Sequence, residues 1–508
     1  MSTSSVTSSL LSTSDSLSQL LGESSTSSTA SNASANSAIQ NAVNAILNSA
    51  TNTSGSGIDV QSTVDAILAI DAQPEVQLQN QITTLNSQTS ALKTIQSDLT
   101  ALQTSVQALS DPSGAFSDVT VSSSDNNAVS ATATSGASAG QHSVMVNSLA
   151  TTAAYYSRDF TSASTQLPTG SFSLQVGTNA QAVTIPVDST DGTTTLTGMA
   201  NYINQQSLGV TASVVTDNSG SRLAIVSGTS GAAGALSLTD NTSGSNGNMG
   251  FTKATDSQGN ALGTDASITV DGVPVTSSSN TVTGAIAGVT LDLTDETLYP
   301  VTIEVQPDLT QVSTAINSFV SAYNQVINDL NAQFQVTSSS TSAPPLLGDS
   351  SLELVQSQLL NAVTSSLQGN NGVTNLQSIG IQLQADGTLS VASSSSADSM
   401  DLNSALANNF SAVQKLFQST SGVAQVLNTQ LTSLTSTTTG PLNLDMNGIN
   451  NQITDLNSQI SDFQSQLRDT QTQLLAEYTT INTTLEQLPQ TLAQINSQLD
   501  ALNSNKSS

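Results

Sequence analysis

The stretch INNQITDLNSQISDFQSQLRDTQTQLLAEYTTINTTLEQL, residues 449–488, places an apolar residue at every seventh position. One row of this repeat is unbroken; it consists of Ile453, Ile460, Leu467, Leu474, Ile481 and Leu488 and continues beyond this stretch at Ile495 and Leu502. A second row accompanies it in the first half, at Ile449, Leu456 and Phe463. Sustained heptads of this kind predict a coiled-coil helix, and residues 449–488 would form a rod about 60 Å long.

The C-terminal limit of this helix is marked by a proline. Pro489 is predicted to kink or end it, because the ring removes a backbone N–H and clashes with the preceding turn. After the second row ends, a third apolar row begins on the opposite side of the unbroken row. It consists of Leu485, Leu492 and Leu499.

A rod of that length needs an apolar partner, and a second heptad region lies near the N-terminus. Its main row is Leu78, Leu85, Leu92, Leu99 and Val106. A break near Gln73-Pro74 precedes the row, and turn residues 111–114 follow it. We therefore predict that the two regions pair as a coiled-coil stalk, with the neighbourhoods of Leu92 and Leu467 adjacent. The alternative is that both stripes face a globular core.

The assembly seam of this predicted stalk comprises ten residues. They are Leu85, Leu92, Leu99, Val106, Ile453, Ile460, Leu467, Leu474, Ile481 and Leu488.

Between residues 116 and 306 the apolar period changes from seven to two. Short alternating or β-branched runs such as SFSLQV, AVTIPV and VTLDL are separated by Gly, Asn, Asp and Ser, which predicts many short strands. One helical insert is expected at about 195–206, and helices return over 312–330 and in three later segments, 351–368, 402–418 and 422–434. The predicted class is α+β multidomain, a helical coiled-coil stalk formed by the N- and C-terminal segments with inserted β-rich head domains.

Composition excludes several classes of function. The 508 residues carry 7 basic and 36 acidic side chains, a formal net charge of −29, and only 8% are charged. Because the basic residues are scattered singly, nucleic-acid binding is not expected, nor is attraction to anionic membranes. The sequence contains no cysteine, which excludes disulfides and thiolate metal sites. The first 55 residues lack a basic segment followed by an apolar run, so neither a cleavable signal peptide nor membrane insertion is expected.

The segment GASAGQHSVMV, residues 136–146, contains a G-x-S-x-G motif at Ser138 and the single histidine, His142. A hydrolase nucleophile of this type needs a strand before the turn and a helix after it. The order here is a small-residue loop and then a strand, so we assign no catalytic role to Ser138 and expect His142 on a strand, at the surface or half-buried.

Two other motifs are equally weak. Residues 55–59, GSGID, lack the strand and final glycine of a dinucleotide-binding loop. Residues 188–192, DSTDG, lack the alternating acids of a calcium loop and are interpreted as a hairpin turn. The sequence therefore predicts no enzyme, no catalytic residue, no cofactor and no metal.

Several segments, in order along the chain, resemble the flagellar hook-associated protein 2 family. Residues 54–103 and 136–150 resemble its N-terminal region, and ITVDGVPVTSSSNTVTGAIAGVTLDL, residues 268–293, is the most specific match. Residues 171–240 resemble the repeat shared by flagellins and hook-associated proteins, with Ile203-Asn204, the run 209–212 and Arg222-Leu223 as its features. Further similar segments are 315–330, 379–391 and 416–442.

The resemblance implies a structural cap at the distal end of the bacterial flagellar filament. Such a protein is exported, lies outside the cell at the flagellum tip, forms a ring-like homo-oligomer, and helps flagellin subunits fold and insert. The implied partners are other copies of this chain, flagellin, hook–filament junction proteins, and an export chaperone with the flagellar export machinery. Family members carry Arg and Glu along the C-terminal coil; because residues 450–474 keep almost none of that charge, the family's charged inter-subunit contacts do not transfer.

Together these observations predict six regions. They are a disordered Ser/Thr-rich leader (1–55), an N-terminal helical stalk (56–115), a β-rich domain (116–170 and 266–307), a β-rich head domain with the flagellin-type repeat (171–265), a C-terminal helical region and coiled-coil stalk (308–488), and a flexible tail (489–508).

Two alternative functions remain open from sequence. One is another flagellar axial or hook-associated component, and the other is a surface adhesin that binds host glycans through the head.

Overall fold

The computed structural model describes residues 60–177, 181–245, 247–256, 259–335, 343–392 and 400–504, with side chains described as far as Leu499. The expected leader, the GSGID motif as far as Asp59, and the last four residues of the expected tail lie outside the described residues. The chain divides into two compact units. Of the described residues, those within 60–100, 325–358 and 430–504 belong to the helical unit, and those within 101–324 and 359–429 belong to the β-rich unit.

Eight α-helices occur in the described residues. They are α1 (Val60–Asp71), α2 (Gln73–Ser110), α3 (Leu196–Gln205), α4 (Leu309–Phe334), α5 (Ser350–Val363), α6 (Leu402–Gln418), α7 (Val423–Leu434) and α8 (Pro441–Ser504).

Local sequence explains where several helices begin and end. The break between α1 and α2 falls at Ala72, just before Gln73-Pro74, as predicted. After α2, the Asp111 carboxylate accepts the Ser113 N–H at 2.8 Å and forms the turn that ends the helix. The predicted insert begins at Thr195, whose hydroxyl accepts the backbone N–H of residue 198 and caps α3.

The described part of the chain contains seventeen strands, all in antiparallel pairs. They are β1 (Val119–Ser123), β2 (Val129–Ala133), β3 (Gly140–Ser148), β4 (Thr152–Tyr156), β5 (Gly170–Val176), β6 (Val183–Val187), β7 (Val210–Asp217), β8 (Gly220–Ser230), β9 (Leu236–Asp240), β10 (Thr252–Lys253), β11 (Ala266–Val270), β12 (Val273–Ser277), β13 (Thr281–Ile286), β14 (Val289–Leu293), β15 (Val301–Pro307), β16 (Ile381–Leu383) and β17 (Leu389–Val391).

Two hydrophobic cores lie between the sheets that the structure describes in the β-rich unit. The first lies between the sheet β1-β15-β3-β11-β12 and the sheet β13-β14-β2. The second lies among the sheet β10-β4-β8-β7, the sheet β6-β5-β9 and helix α3. Alternation produces these cores: in β14, Val289, Leu291 and Leu293 are buried, while the residues between them are half-buried. The structure confirms the α+β class, with helices and several antiparallel sheets.

Residues 152–170 differ from the expected domain boundary. The sequence analysis assigned them to the first β-rich domain, but Ala153, Phe160 and Leu167 are buried in the second core. The alternating pattern identifies strand β4 but carries no information about which of two neighbouring sheets it joins.

Three expectations differ from the structure: Pro489 does not end its helix, one helix is shorter than expected, and one turn has a different context. Helix α8 continues through Pro489 to Ser504, so residues 489–504 are helical. The helix expected over 351–368 ends at Val363. Residues 188–192 form a turn that connects β6 to α3, whereas the sequence analysis expected a hairpin.

Candidate assembly surfaces of the helical unit

Helices α2 and α8 lie side by side in the helical unit. The Gln464 Nε2 amide donates to Glu75 Oε1 at 2.6 Å. Residue numbers rise along α2 while those of the facing residues fall along α8, so the helices are antiparallel. Helix α1 also packs against α8. A groove of about 460 Å³ between α2 and α8 is lined by Gln81, Thr84, Leu85, Gln88, Gln452, Asp455, Leu456 and Gln459.

This register contradicts the expected proximity of Leu92 and Leu467. Because Gln464 meets Glu75, Leu467 lies near the beginning of α2. Leu92 is about 26 Å farther along α2 at 1.5 Å per residue. Heptad spacing predicted that the helices have matching apolar faces, but it does not determine the axial offset between them.

The predicted seam residues occupy three environments. Fully buried are Leu92, Leu99 and Val106. Half-buried are Leu85, Ile453, Ile460, Leu467 and Leu474. Exposed are Ile481 and Leu488. The apolar row of α8 is therefore partly covered as far as Leu474 and open at its C-terminal end.

The buried part of α2 in the helical unit belongs to a helical bundle. The Gln88 Nε2 amide donates to the Pro345 carbonyl at 3.0 Å, next to α5. Helices α4 and α5 are joined by a hydrogen bond of 3.3 Å from Gln356 Nε2 to Asn331 Oδ1. For this part of α2 the alternative interpretation holds, because its apolar stripe faces a globular core.

Two carboxyl groups face each other within this bundle, Asp98 of α2 and Asp329 of α4. Burial raises the pKa of Asp98 to about 6, and the hydrogen bond to Asp329 and the negative charge of that residue act in the same direction. Asp98 Oδ2 is enclosed and has no hydrogen-bond donor. Asp329 Oδ2 accepts a hydrogen bond of 2.9 Å from Gln325 Nε2. Asp98 therefore keeps its proton to a higher pH than an exposed aspartate does.

The C-terminal part of α8 carries an open apolar stripe. Its side chains are 39–52% exposed and are spaced alternately by four and three residues, so they share one face of the helix. The stripe consists of Ile481, Leu485, Leu488, Leu492, Ile495 and Leu499. The two rows that the sequence analysis separated are thus one surface, about 27 Å long. An apolar stripe of this length on a helix surface is typical of a helix-packing interface.

His142 lies on β3 and is engaged by a residue distant in sequence. Its Nδ1 lies 2.8 Å from Asp271 Oδ2, and Asp271 Oδ1 accepts the Ser143 N–H at 2.8 Å. The hydrogen bond to His142 lowers the pKa of Asp271, with a further contribution from the Ser143 N–H. Asp271 and Gly272 have φ values of 51° and 83°, so they form the tight turn between β11 and β12. His142 thus stabilises the turn between β11 and β12 through its contact with Asp271. Ser138 lies in the loop before β3.

Two further properties concern the described residues alone. In residues 60–504, outside the gaps given above, no cluster of three or more His, Asp or Glu residues could hold a metal ion. Among the described helices, none combines the length and the apolarity that crossing a membrane requires.

Comparison with known proteins identifies the family. The model of the flagellar hook-associated protein 2 N-terminus matches residues 56–153, and that of its C-terminus matches residues 263–490. The B-type flagellar hook-associated protein 2 of Pseudomonas aeruginosa is 31% identical over 330 residues, which are 61% of this chain and 68% of that protein. The chain belongs to the flagellar hook-associated protein 2 family. The flagellin hook IN motif matches residues 171–229.

Other members of the flagellar hook-associated protein 2 family match over more of the chain. The Escherichia coli protein is 27% identical over 403 residues, covering 76% of this chain and 84% of its own length. The crystal structure of the D1-D2-D3 domains of the flagellar cap protein FliD from Escherichia coli matches with a TM-score of 0.50 and 26% identity. That match covers 71% of this chain and 99% of the crystallised one.

Asn204, part of the matched IN motif, has a structural role that sequence reasoning missed. Its Nδ2 donates to the Ala212 carbonyl and its Oδ1 accepts the Ala212 N–H, both at 2.8 Å. The amide thereby pairs with edge strand β7 as a neighbouring strand would, while the preceding Ile203 is fully buried in the second core. Ile203 and Asn204 together hold α3 against β7. The hydrophobic periodicity of the sequence does not indicate this role of Asn204.

Proposed function

We propose that this chain is the structural cap at the distal end of the bacterial flagellar filament. In this role it promotes the folding and insertion of flagellin subunits and prevents their loss. The observation that carries the proposal is the match to the Escherichia coli flagellar cap protein, which extends over 99% of that structure. Membership of the hook-associated protein 2 family supports the same conclusion.

The proposed mechanism is mechanical. Several copies form a ring whose helical units, paired through α1, α2 and α8 as a coiled-coil stalk, contact the filament. The open stripe of α8 supplies an apolar surface for that contact, and Glu486 is the single charged residue between positions 481 and 499. Because an apolar contact depends little on ionic strength, it suits assembly in a medium of variable salt.

The proposed partners and location follow from this role. The chain would contact other copies of itself and flagellin at the filament tip, outside the cell. During delivery it would meet the export chaperone, the flagellar export machinery and the hook–filament junction proteins. The role requires no cofactor or catalytic step, so this chain would not be an enzyme.

Deletion of the gene tests the proposal. A strain without the chain should release unpolymerised flagellin into the culture medium and carry few or short filaments. Re-expression of the full chain should restore filaments and clear the medium of flagellin. Filaments of normal length with no released flagellin would contradict a cap function, and loss of surface attachment alone would favour an adhesin.

A further inference from the structure

Asn371 and Gly372 form a tight turn in the β-rich unit, between α5 and the 3₁₀ turn Leu376–Ile379. Their φ values are 52° and 87°, so both residues lie in the left-handed region. The Val373 N–H donates to the Asn370 carbonyl at 2.9 Å across the turn. An Asn-Gly pair with this backbone is typical of a type I′ turn, and both residues are exposed to solvent here.

The reactive groups of this turn are free. Within the described residues, no hydrogen bond involves the Asn371 side chain or the Gly372 N–H. No described heavy atom beyond the two chain neighbours lies within 4 Å of the position that a Cβ at Gly372 would take. The Asn371 amide can therefore rotate towards the Gly372 nitrogen without breaking a bond or displacing a neighbour.

We propose that Asn371 is a site of covalent modification by spontaneous deamidation. The Gly372 N–H loses its proton to hydroxide, and the nitrogen attacks the Asn371 Cγ. The new C–N bond closes a succinimide ring, while the side-chain nitrogen takes a proton from water and leaves as ammonia. Water then opens the ring at one of its two carbonyl carbons and leaves aspartate or isoaspartate at position 371. Since the reaction needs only water and base, it does not depend on the proposed function.

The chain contains a matched Asn-Gly pair in a different backbone. Asn447 and Gly448 are also exposed, and the space around Gly448 is also open. They lie inside helix α8, however, where each backbone N–H is donated to a carbonyl one turn earlier. A helical Gly448 nitrogen is held away from the side chain that precedes it, so Asn447 should keep its amide while Asn371 loses it.

The structural consequence of the reaction follows from the neighbouring Asn370, which is only 7% exposed. Its Nδ2 donates to the Val373 carbonyl at 2.9 Å and to the Ala412 carbonyl of α6 at 2.7 Å. Isoaspartate at position 371 routes the main chain through the side-chain carbon and lengthens the turn by one methylene. The modified turn should therefore disturb the Asn370 bonds to Val373 and α6, whereas ordinary aspartate leaves the backbone length unchanged.

Peptide mass spectrometry of the full-length protein tests the modification. The protein is stored at pH 6 and at pH 8 in water enriched in the heavy oxygen isotope. Position 371 should lose its amide and gain the heavy oxygen, faster at pH 8 because the Gly372 nitrogen must first lose its proton. Asn371→Gly, which tolerates the positive φ and has no Cγ, is the control and should show no conversion in this peptide. An intact Asn371 amide, or equal conversion at Asn371 and Asn447, would overturn the proposal.

Urea unfolding tests the structural consequence. Stored wild-type protein that contains isoaspartate should unfold at a lower urea concentration than fresh protein. Fresh Asn371→Asp should unfold close to fresh wild type, because Asp tolerates the left-handed region and the side chain is exposed. Stored Asn371→Gly should keep its midpoint, which separates this site from other effects of storage. Equal midpoints of stored and fresh wild type after conversion would refute the link between the turn and the Asn370 bonds.

Discussion

Replacement of Asp98 by Asn should stabilise the helical unit at neutral pH. Burial and the neighbouring Asp329 raise the pKa of Asp98 from 3.8 to about 6. Since this folded-state pKa lies above the unfolded one, the folded protein loses stability as the pH rises from about 4 to about 6. Above that range the ionised Asp98 carboxylate opposes folding, and an amide at position 98 removes that charge while keeping a donor for Asp329.

The size of this effect follows from the pKa of Asp98. A rise from 3.8 to about 6 corresponds to about 3 kcal/mol if fully expressed. Asp98 is only half-buried, however, so solvent screening reduces the expected gain to about 1 kcal/mol.

Urea unfolding monitored through the helical circular dichroism signal provides the assay for Asp98→Asn. The gain should be present at pH 8 and shrink at pH 5, where wild-type Asp98 binds its proton. Asp462→Asn, which removes an exposed carboxylate from α8, is the control for the general effect of lower net charge. A gain of equal size at both pH values, or a loss of stability at pH 8, would refute the argument.

Three further substitutions test separate parts of the structure. Leu488→Glu with Leu492→Glu should leave the urea midpoint unchanged but prevent co-sedimentation of the chain with flagellar filaments, since both side chains lie on the open stripe of α8; normal co-sedimentation would exclude the stripe as the filament contact. Asn204→Ala should cost about 1–3 kcal/mol of unfolding free energy because it leaves the Ala212 backbone without its partner, whereas the adjacent Gln205→Ala should have little effect; equal losses would argue against the paired amide. Leu99→Ala should destabilise the helical unit by about 2–5 kcal/mol, measured in the same urea titration, and a loss below about 1 kcal/mol would mean that the site is poorly packed.

Much of the secondary structure could be predicted from local sequence patterns. The helix α6 has the predicted bounds 402–418, and α7 begins one residue after its predicted start. Such segments combine an apolar period with clear end signals, and Asp401 caps α6 by accepting the Ser404 N–H. The ends of these helices can be predicted because they are determined by interactions between residues close in sequence, such as the cap at Asp401.

The predictions differ from the structure where contacts between residues distant in sequence determine the local arrangement. The offset between α2 and α8 depends on contacts such as Glu75 with Gln464, which lie far apart in sequence. Pro489 was expected to kink or end a helix, and of these two outcomes the ending is excluded, because α8 continues to Ser504.

The features of the candidate site that sequence analysis missed have the same origin. Heptad spacing identified Ile481 and Leu488 without indicating that they are uncovered, because exposure depends on where α1 and α2 lie along α8. The carboxyl groups of Asp98 and Asp329 meet only after α2 and α4 pack together, and neither residue stands in a recognisable motif.

Labelling the chain on intact cells tests the central claim most directly. Antibodies against the chain, detected with gold particles by electron microscopy, should bind at the distal ends of flagellar filaments. Gold along the filament shaft, at the hook junction, or on the cell body without filament ends would contradict the proposed cap.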